Sequence, residues 1–376
     1  MQRIALVEPN HSHEEVLFPL TELLRDRSDV YVVAPQTLLD VDLMRGMSSS
    51  CHAVPYINAL PATRAGRIVG VLDKYSAIKK SMERIDPELI IFNSVPTLLD
   101  AALISLYFGK WRKIQVIHNF QNYLLPGAQL LYKLFDGNLV ISEQVFRYIQ
   151  EHHPDFHHLD YVLPIFFDGF RVENDAEPGV EMGKPDYLTL GVFGAIEEDR
   201  RNYHGLLQAI KQVAATSHSP RFRIYLAGKA PLWLQQEVQK YHLENIVKTF
   251  SEFLPFKEMF GLLAEIDLVM FLIDDSVPNA RHYNRYKITG TSTLVKAFNK
   301  ACVSSTDFTL DDSLANRCFL YVGGDIATLL KGINDGQLTR KTIEDKMAAC
   351  ADNAEFSFVR QQERMFSMIS TVLQKS

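Results

Sequence analysis

The chain has 376 residues, more than one ordinary hydrophobic core serves, so two domains are expected. With 47% hydrophobic and 22% charged residues it has a globular composition, and a formal net charge of −6 speaks against nucleic acid as a partner. Four cysteines, Cys51, Cys302, Cys318 and Cys350, lack CxxC spacing, which points to reduced thiols in a cytoplasmic protein rather than a zinc site or disulfide framework.

The first apolar run, RIALV at 3–7, is short and is followed by histidines and acids, so it reads as a buried strand and not a signal peptide. No uninterrupted apolar run reaches the ~18 residues a membrane span needs. Further strands are predicted at 30–34, 89–92, 113–117 and 138–141, with helical spacing at 14–26, 63–84, 96–108 and 142–151 between them. Strands apolar on both faces and separated by helices predict a parallel sheet covered on both sides. Periodicity then disappears in a stretch rich in Gly, Pro and acids, read as a linker over 169–186 between a first domain at 1–168 and a second at 187–350. The second series has strands at 187–194, 222–228, 245–250, 267–273, 301–305 and 318–322, with helices at 202–215, 232–242, 255–264 and after Gly290. A helical tail at 351–376 is expected to pack back on the first domain. The fold class predicted is α/β, with two doubly wound Rossmann-like domains facing a cleft and ligands beyond the carboxyl ends of the strands.

Four stretches, in this order, carry a family likeness: VIHNFQNYLLPGAQLLYKLFDGNLVISEQVFRYI at 116–149, PIFFDGF at 164–170, LGVFGAIEEDRRNYHGLLQAI at 190–210, and EIDLVMFLIDD at 265–275 with LVKAFNKACVSS at 294–305. Together they resemble the GT-B glycosyltransferases, nearest the large retaining group called family 4. The resemblance covers nearly the whole chain. It implies transfer of a sugar from a UDP- or GDP-linked donor to a glycan, lipid-linked or protein-linked acceptor, without a metal or other cofactor, in surface polysaccharide or glycoconjugate synthesis. The departures are specific. Tyr286 and Leu294 stand where the family carries two donor-side glutamates, Ala195 replaces an arginine after Gly194, and His11-Ser12-His13 replaces a glycine pair. On these residues retention and inversion both stay open.

A diphosphate must be met by fixed cations and helix N-termini when no metal meets it. The donor-side candidates are Gly194, Arg200, Arg201, Lys229, Glu252, Tyr286 and Lys287, with Thr289, Gly290, Thr291 and Ser292 at a helix start. Arg201 falls on the family's lysine position before an asparagine. Gly290 allows close backbone approach and the three hydroxyls are donors beside unpaired amides, although a plain N-cap is the simpler reading of them. Tyr286, in the polar and aromatic run 279–286, is a candidate for the sugar hydroxyls, and Glu252 for the nucleoside. His118, His13 and His11 are the candidate catalytic bases or acceptor contacts, and Asn10 and Asn119 the acceptor-side polar groups. The His-rich run 151–158 reads as a solvated turn and no metal site is expected. Residues 64–84 alternate Arg64, Arg67, Lys74, Lys79, Lys80 and Arg84 with Ile68, Val71, Tyr75 and Ile78, and GKWRK at 109–113 adds Trp111. Two readings stand: core packing of the apolar stripe, which is favoured, and peripheral contact of a basic amphipathic helix with the inner face of a membrane. The competing functional reading is a catalytically silent subunit that stabilises a partner transferase, for which Arg201, Lys287 and the 289–292 turn together are superfluous. A GT-B-fold epimerase would want paired carboxylates, and no clear pair stands out.

Overall fold

The computed structural model describes residues 1–47, 51–56, 64–95, 97–125, 128, 133–156, 158–165, 186–217, 219–350 and 354–374, without side-chain detail for 64–68 and 354. The chain divides into two compact units. The first comprises Met1–Ile165, Arg285–Ile288 and Ala354–Ser376, and the second Phe166–Asn284 and Thr289–Asn353. The stretch predicted as a linker, apart from Asp186, lies outside the described residues.

The first unit holds a seven-stranded, wholly parallel sheet in the order β3-β2-β1-β4-β5-β6-β7. Its strands are β1 (Gln2–Val7), β2 (Ser28–Pro35), β3 (Cys51–Tyr56), β4 (Leu89–Phe92), β5 (Arg112–Ile117), β6 (Gly137–Val140) and β7 (Leu159–Tyr161). Every residue of β4 and β6 is buried, which is why LIIF in β4 runs apolar without alternation; in β6 the buried Asn138 accepts from Gln115 Nε2 at 2.6 Å. β3 and β7 were not predicted. β3 is an edge strand interrupted by Pro55, which an edge tolerates because one side of the strand needs no partner, and β7 has only three residues.

The helix Arg64–Ile85 settles one expectation. Tyr75 and Ile78 are fully buried and Val71 packs on the same core, which also contains Trp111. Lys74 is buried in an ion pair with Asp100 at 3.0 Å. Tyr75, Ile78 and the tryptophan are thus core, as the core-packing reading expects, while the side chain of Ile68 lies outside the described residues. Among the described residues no helix is long and apolar enough to cross a membrane.

The C-terminal helix Phe358–Leu373 packs against the helix Glu14–Leu24, β5 and β7. Gln362 Nε2 donates to Leu23 O at 3.1 Å, and Arg364 pairs with Asp160 and Glu355, each at 3.1 Å. Gly137, opening β6, makes room for it: a Cβ there would lie 2.8 Å from Val372 Cγ2 and 2.9 Å from Met368 Sδ.

The second unit holds a six-stranded parallel sheet, β10-β9-β8-β11-β12-β13. Its strands are β8 (Leu188–Phe193), β9 (Phe222–Lys229), β10 (Val247–Phe250), β11 (Leu268–Met270), β12 (Ala301–Ser305) and β13 (Cys318–Tyr321). Strand β11 stops before the apolar run does, because Leu272 takes a left-handed φ of 54°. The polar and aromatic run 279–286 contains the helix Ala280–Arg285. In each sheet the strand order reverses once, between β1 and β4 and between β8 and β11. Doubly wound folds place ligands at such reversals, beyond the carboxyl ends of the strands.

Candidate functional sites

In the first unit, Glu8 follows β1, Asn93 and Ser94 follow β4, and His118 follows β5, so the parallel sheet delivers all four to one edge. Glu8 is fully buried. Its carboxylate accepts from Asn93 Nδ2 at 2.7 Å, Ser94 Oγ at 2.7 Å and Asn10 N at 2.8 Å. Burial nevertheless outweighs these donors and pushes its pKa up to about 7. Asn10 Nδ2 donates to Ser94 Oγ at 2.8 Å, so the predicted acceptor-side asparagine braces this network. Asn93 Oδ1 is buried with no hydrogen-bond partner, an acceptor left open among well-satisfied neighbours.

His13 precedes the helix Glu14–Leu24 with φ 75°, a left-handed conformation that costs a non-glycine residue on the order of 1–3 kcal/mol. Its ring lies against His118, centroids 4.1 Å apart, and its Nδ1 is 3.5 Å from Glu15 Oε1. Burial works to lower the His13 pKa, but the contact with Glu15 and the charges of Glu15 and Glu8 outweigh it and raise the pKa above the ordinary 6.5. Burial likewise opposes ionisation of Glu15, and His13 overcomes it, holding that carboxyl below its usual range. His118 behaves in the opposite way: burial, His13 and Lys287 push it down to about 3. His118 Nε2 lies 2.6 Å from Asn93 O. A carbonyl only accepts, so Nε2 carries the proton and Nδ1 the lone pair. His11 stands apart, its exposed ring bonded to Thr37 Oγ1 at 2.7 Å.

Tyr286 and Lys287 were predicted on the donor side, but both belong to the first unit. Asn119 and Lys287 form an isolated antiparallel bridge, and Phe120 N donates to Tyr286 O at 2.9 Å. The Tyr286 ring stands edge-on to Tyr148 at 5.4 Å, and the Lys287 charge bears on both histidines. Asn119 Oδ1 also accepts from Gln121 N at 3.1 Å.

In the second unit the site forms at the end of β8. Gly194 has φ 104°, which favours glycine, and Gly228 closes on it from the end of β9. A Cβ on Gly228 would lie 2.1 Å from Gly194 O, so only glycine permits this approach. Arg201 is buried beneath the turn. It donates to Phe193 O at 2.8 Å, Ala195 O at 3.0 Å, Thr291 Oγ1 at 3.0 Å and Tyr203 OH at 3.4 Å. All four acceptors are uncharged, so a buried positive charge has no anionic hydrogen-bond partner among the described residues. Asn202 caps the helix Tyr203–Thr216 by accepting from Gly205 N at 2.8 Å. Its own N–H donates to the carbonyl of strained Leu272 at 2.8 Å, and its Nδ2 donates to Asp274 Oδ2 at 2.8 Å, joining the turn to the end of β11.

The helix Gly290–Ala297 departs from the predicted cradle in detail. Thr291 serves Arg201, and Ser292 Oγ donates to Thr289 O at 2.6 Å. The plain N-cap is absent as well: Thr289 makes no side-chain cap bond, and its buried Oγ1 has no partner. Open space surrounds the position of a Gly290 Cβ. Arg200 is paired with Glu197 at 2.6 Å, and Lys229 with Glu252 at 2.8 Å in an exposed ion pair. Neither joins the Arg201 network among the hydrogen bonds described. No group of three His, Cys, Asp or Glu that would hold a metal stands together among the described residues.

Sequence reasoning passed over Glu8, Glu15, Asn93 and Ser94. The available signal was a polar residue immediately after an all-apolar strand, at LVEPN and IIFNS.

No family model and no curated protein sequence matches the chain. Solved structures do. Anabaena Alr3699/HepE in complex with UDP matches with a TM-score of 0.64 and 14% identity, over 99% of this chain and 100% of that one. Sucrose-phosphate synthase from Thermosynechococcus elongatus gives 0.67 and 12%, over 100% of both chains. UDP-GlcNAc 2-epimerase from Neisseria meningitidis, bound to UDP-GlcNAc, gives 0.64 and 9%, over 98% of this chain and 100% of that one. At such identities the likeness is one of fold, and that fold is GT-B, with two parallel doubly wound α/β domains.

Proposed function

We propose that the chain is a glycosyltransferase that moves a sugar from a nucleoside-diphosphate donor to a hydroxyl of a glycan, lipid-linked or protein-linked acceptor. The observation that carries this reading is Arg201, a buried guanidinium at the carboxyl edge of the second sheet whose hydrogen-bond partners are all neutral. A charge held there without a counter-ion favours an incoming anion. The Gly194–Gly228 approach and the amides opening the helix at Gly290 supply the close backbone that a diphosphate uses. UDP in the Anabaena protein and UDP-GlcNAc in the Neisseria one support a nucleotide ligand on this fold. In this reading Arg201 and helix amides meet the leaving diphosphate, so chelators leave activity unchanged. The histidines of the first unit serve the acceptor, and the pathway is surface polysaccharide or glycoconjugate synthesis.

Thermal unfolding with UDP, GDP and a panel of their sugars tests the reading. A nucleotide at a hundred times its Kd stabilises the folded state by about 2.7 kcal/mol, enough to raise the melting temperature visibly. If none of them moves it, the donor assignment fails and the silent-subunit reading replaces it.

A further inference from the structure

We propose that Cys302 and Cys318 are a reversible dithiol–disulfide pair, a modification site for low-molecular-weight disulfides such as oxidised glutathione. This goes beyond the glycosyltransferase reading and does not depend on it, since both residues lie within the second unit. Strands β12 and β13 run parallel and pair Cys302 with Cys318 in register. Paired residues of neighbouring strands point to the same face of the sheet, and the strands lie about 4.8 Å apart. That spacing falls inside the Cα window of about 4.4–6.8 Å that a disulfide requires. The thiols are also hydrogen-bonded to each other. Cys318 Sγ donates to Phe319 O at 3.5 Å, so Cys302 is the donor in the bond between them. The other two cysteines are placed differently. Cys51 belongs to the first unit, and Cys350 Sγ is turned to the carbonyls of Lys346 at 3.2 Å and Asn316 at 3.4 Å.

The surroundings set when the pair reacts. Cys302 is fully buried and Cys318 nearly so. The hydrogen bond with Cys318, and then burial, hold the Cys302 thiol well above its ordinary pKa; the buried Arg317 guanidinium favours the thiolate but is outweighed. The pair therefore rests as an unreactive dithiol while β12 and β13 stay joined. Strand β13 is an edge strand of only four residues. Leu320 within it and Val322 just after it are 59% and 77% exposed. Such a margin opens at lower free energy than the sheet interior. Opening carries Cys318 into solvent with Arg317 beside it in the chain, a setting that lowers a thiol's pKa. Cys302 stays on β12, which β11 holds from its other side. Cys318 is thus the thiol that meets the reagent, and Cys302 the one that resolves.

The exchange balances. The Cys318 thiolate attacks one sulfur of the small disulfide, the S–S bond breaks, and one thiolate leaves with the electron pair. A mixed disulfide remains on Cys318. The Cys302 thiolate then attacks the Cys318 sulfur and releases the second small thiolate. The two protons lost by the cysteines end on the two released thiols, so the pair is oxidised and the small disulfide reduced. The Cβ atoms of paired strands stand wider than the ~3.8 Å a disulfide prefers, so the link draws β13 inward and is strained. Strained disulfides are the ones that thiols reduce readily, which makes the modification reversible.

The test is peptide mapping of the full chain after incubation in glutathione buffers that run from reducing to oxidising, with the remaining thiols alkylated on denaturation. The expected product is one linked peptide joining Cys302 to Cys318, two hydrogens lighter than the dithiol and restored by dithiothreitol. Cys302→Ala removes the resolving thiol, so the mixed disulfide on Cys318 accumulates at least about tenfold above the parent. Cys318→Ala leaves Cys302 a free thiol. The parent alone decides the matter if a variant fails to fold. Cys302 and Cys318 still reduced in a buffer that fully modifies the more exposed Cys350 overturns the inference. So does a link through Cys51 or Cys350, or one that forms only in denaturant. Loss of UDP binding would instead sink the donor reading and leave this mapping unchanged.

Discussion

Glu8 is the residue whose replacement the structure prices most directly. Its carboxyl is fully buried, and burial lifts its pKa from 4.5 to about 7. Between those values the unfolded chain is ionised at this position and the folded chain is protonated. Folding therefore takes up a proton, and stability falls as pH rises from 4.5 to about 7, then levels off. The rise corresponds to about 3 kcal/mol of destabilisation at pH 8, absent at pH 4. Glu8→Gln keeps an oxygen to accept from Asn93 or Ser94 and removes the ionisation. It should be more stable than the parent at pH 8 by about 1–3 kcal/mol, after allowance for about 1 kcal/mol for a rearranged hydrogen bond, and no more stable near pH 4. The assay is urea unfolding followed by tryptophan fluorescence in a Trp233→Phe background. The chain has two tryptophans, and Trp111 lies in the core of the first unit beside Glu8's own sheet. Equal stability of Glu8→Gln and parent at pH 8, or a gain that persists unchanged at pH 4, would refute the claim that Glu8 is a desolvated acid.

Three further outcomes follow from packing. Gly137→Ala sets a Cβ within 2.9 Å of Val372 and Met368, and it should cost about 1–3 kcal/mol by urea unfolding while leaving nucleotide binding intact. Lys74→Met strands the Asp100 carboxylate in the core with, among the described residues, the Tyr75 and Thr97 hydroxyls as its remaining side-chain donors, and should destabilise the first unit by about 3–5 kcal/mol in the same experiment. Gly228→Ala drives a Cβ into Gly194 O, so it should weaken UDP binding at least about tenfold, a difference of about 1.4 kcal/mol in calorimetry.

The sheets were legible because their strands are buried on both faces. RIALV in β1, β4 and most of β8 read as apolar runs, and the helices between the strands fixed the parallel topology. β3 escaped because Pro55 and His52 break the pattern of an edge strand, whereas the core packing favoured for the stripe in Arg64–Ile85 agrees with the burial of Tyr75 and Ile78. Part of the candidate site was legible where one chain segment supplies it: Gly194 and Arg201 stand seven residues apart on one turn. The Glu8 network was not, since Glu8 and Asn93 are separated by 85 positions and meet only because β1 and β4 pair at the reversal of strand order. That Tyr286 and Lys287 group with the first unit was hidden for a related reason. Their chain neighbours belong to the second unit, but backbone bonds to Asn119 and Phe120 attach them to the first.

Calorimetric titration of UDP into the full-length chain, beside Arg201→Gln, tests most directly whether the buried guanidinium marks a nucleotide site. The account predicts saturable binding in about the micromolar-to-millimolar range. That binding should weaken by more than about tenfold, or about 1.4 kcal/mol, in the variant, while the unfolding transition stays cooperative. Absence of binding at millimolar UDP, or equal affinity in the two proteins, would contradict it.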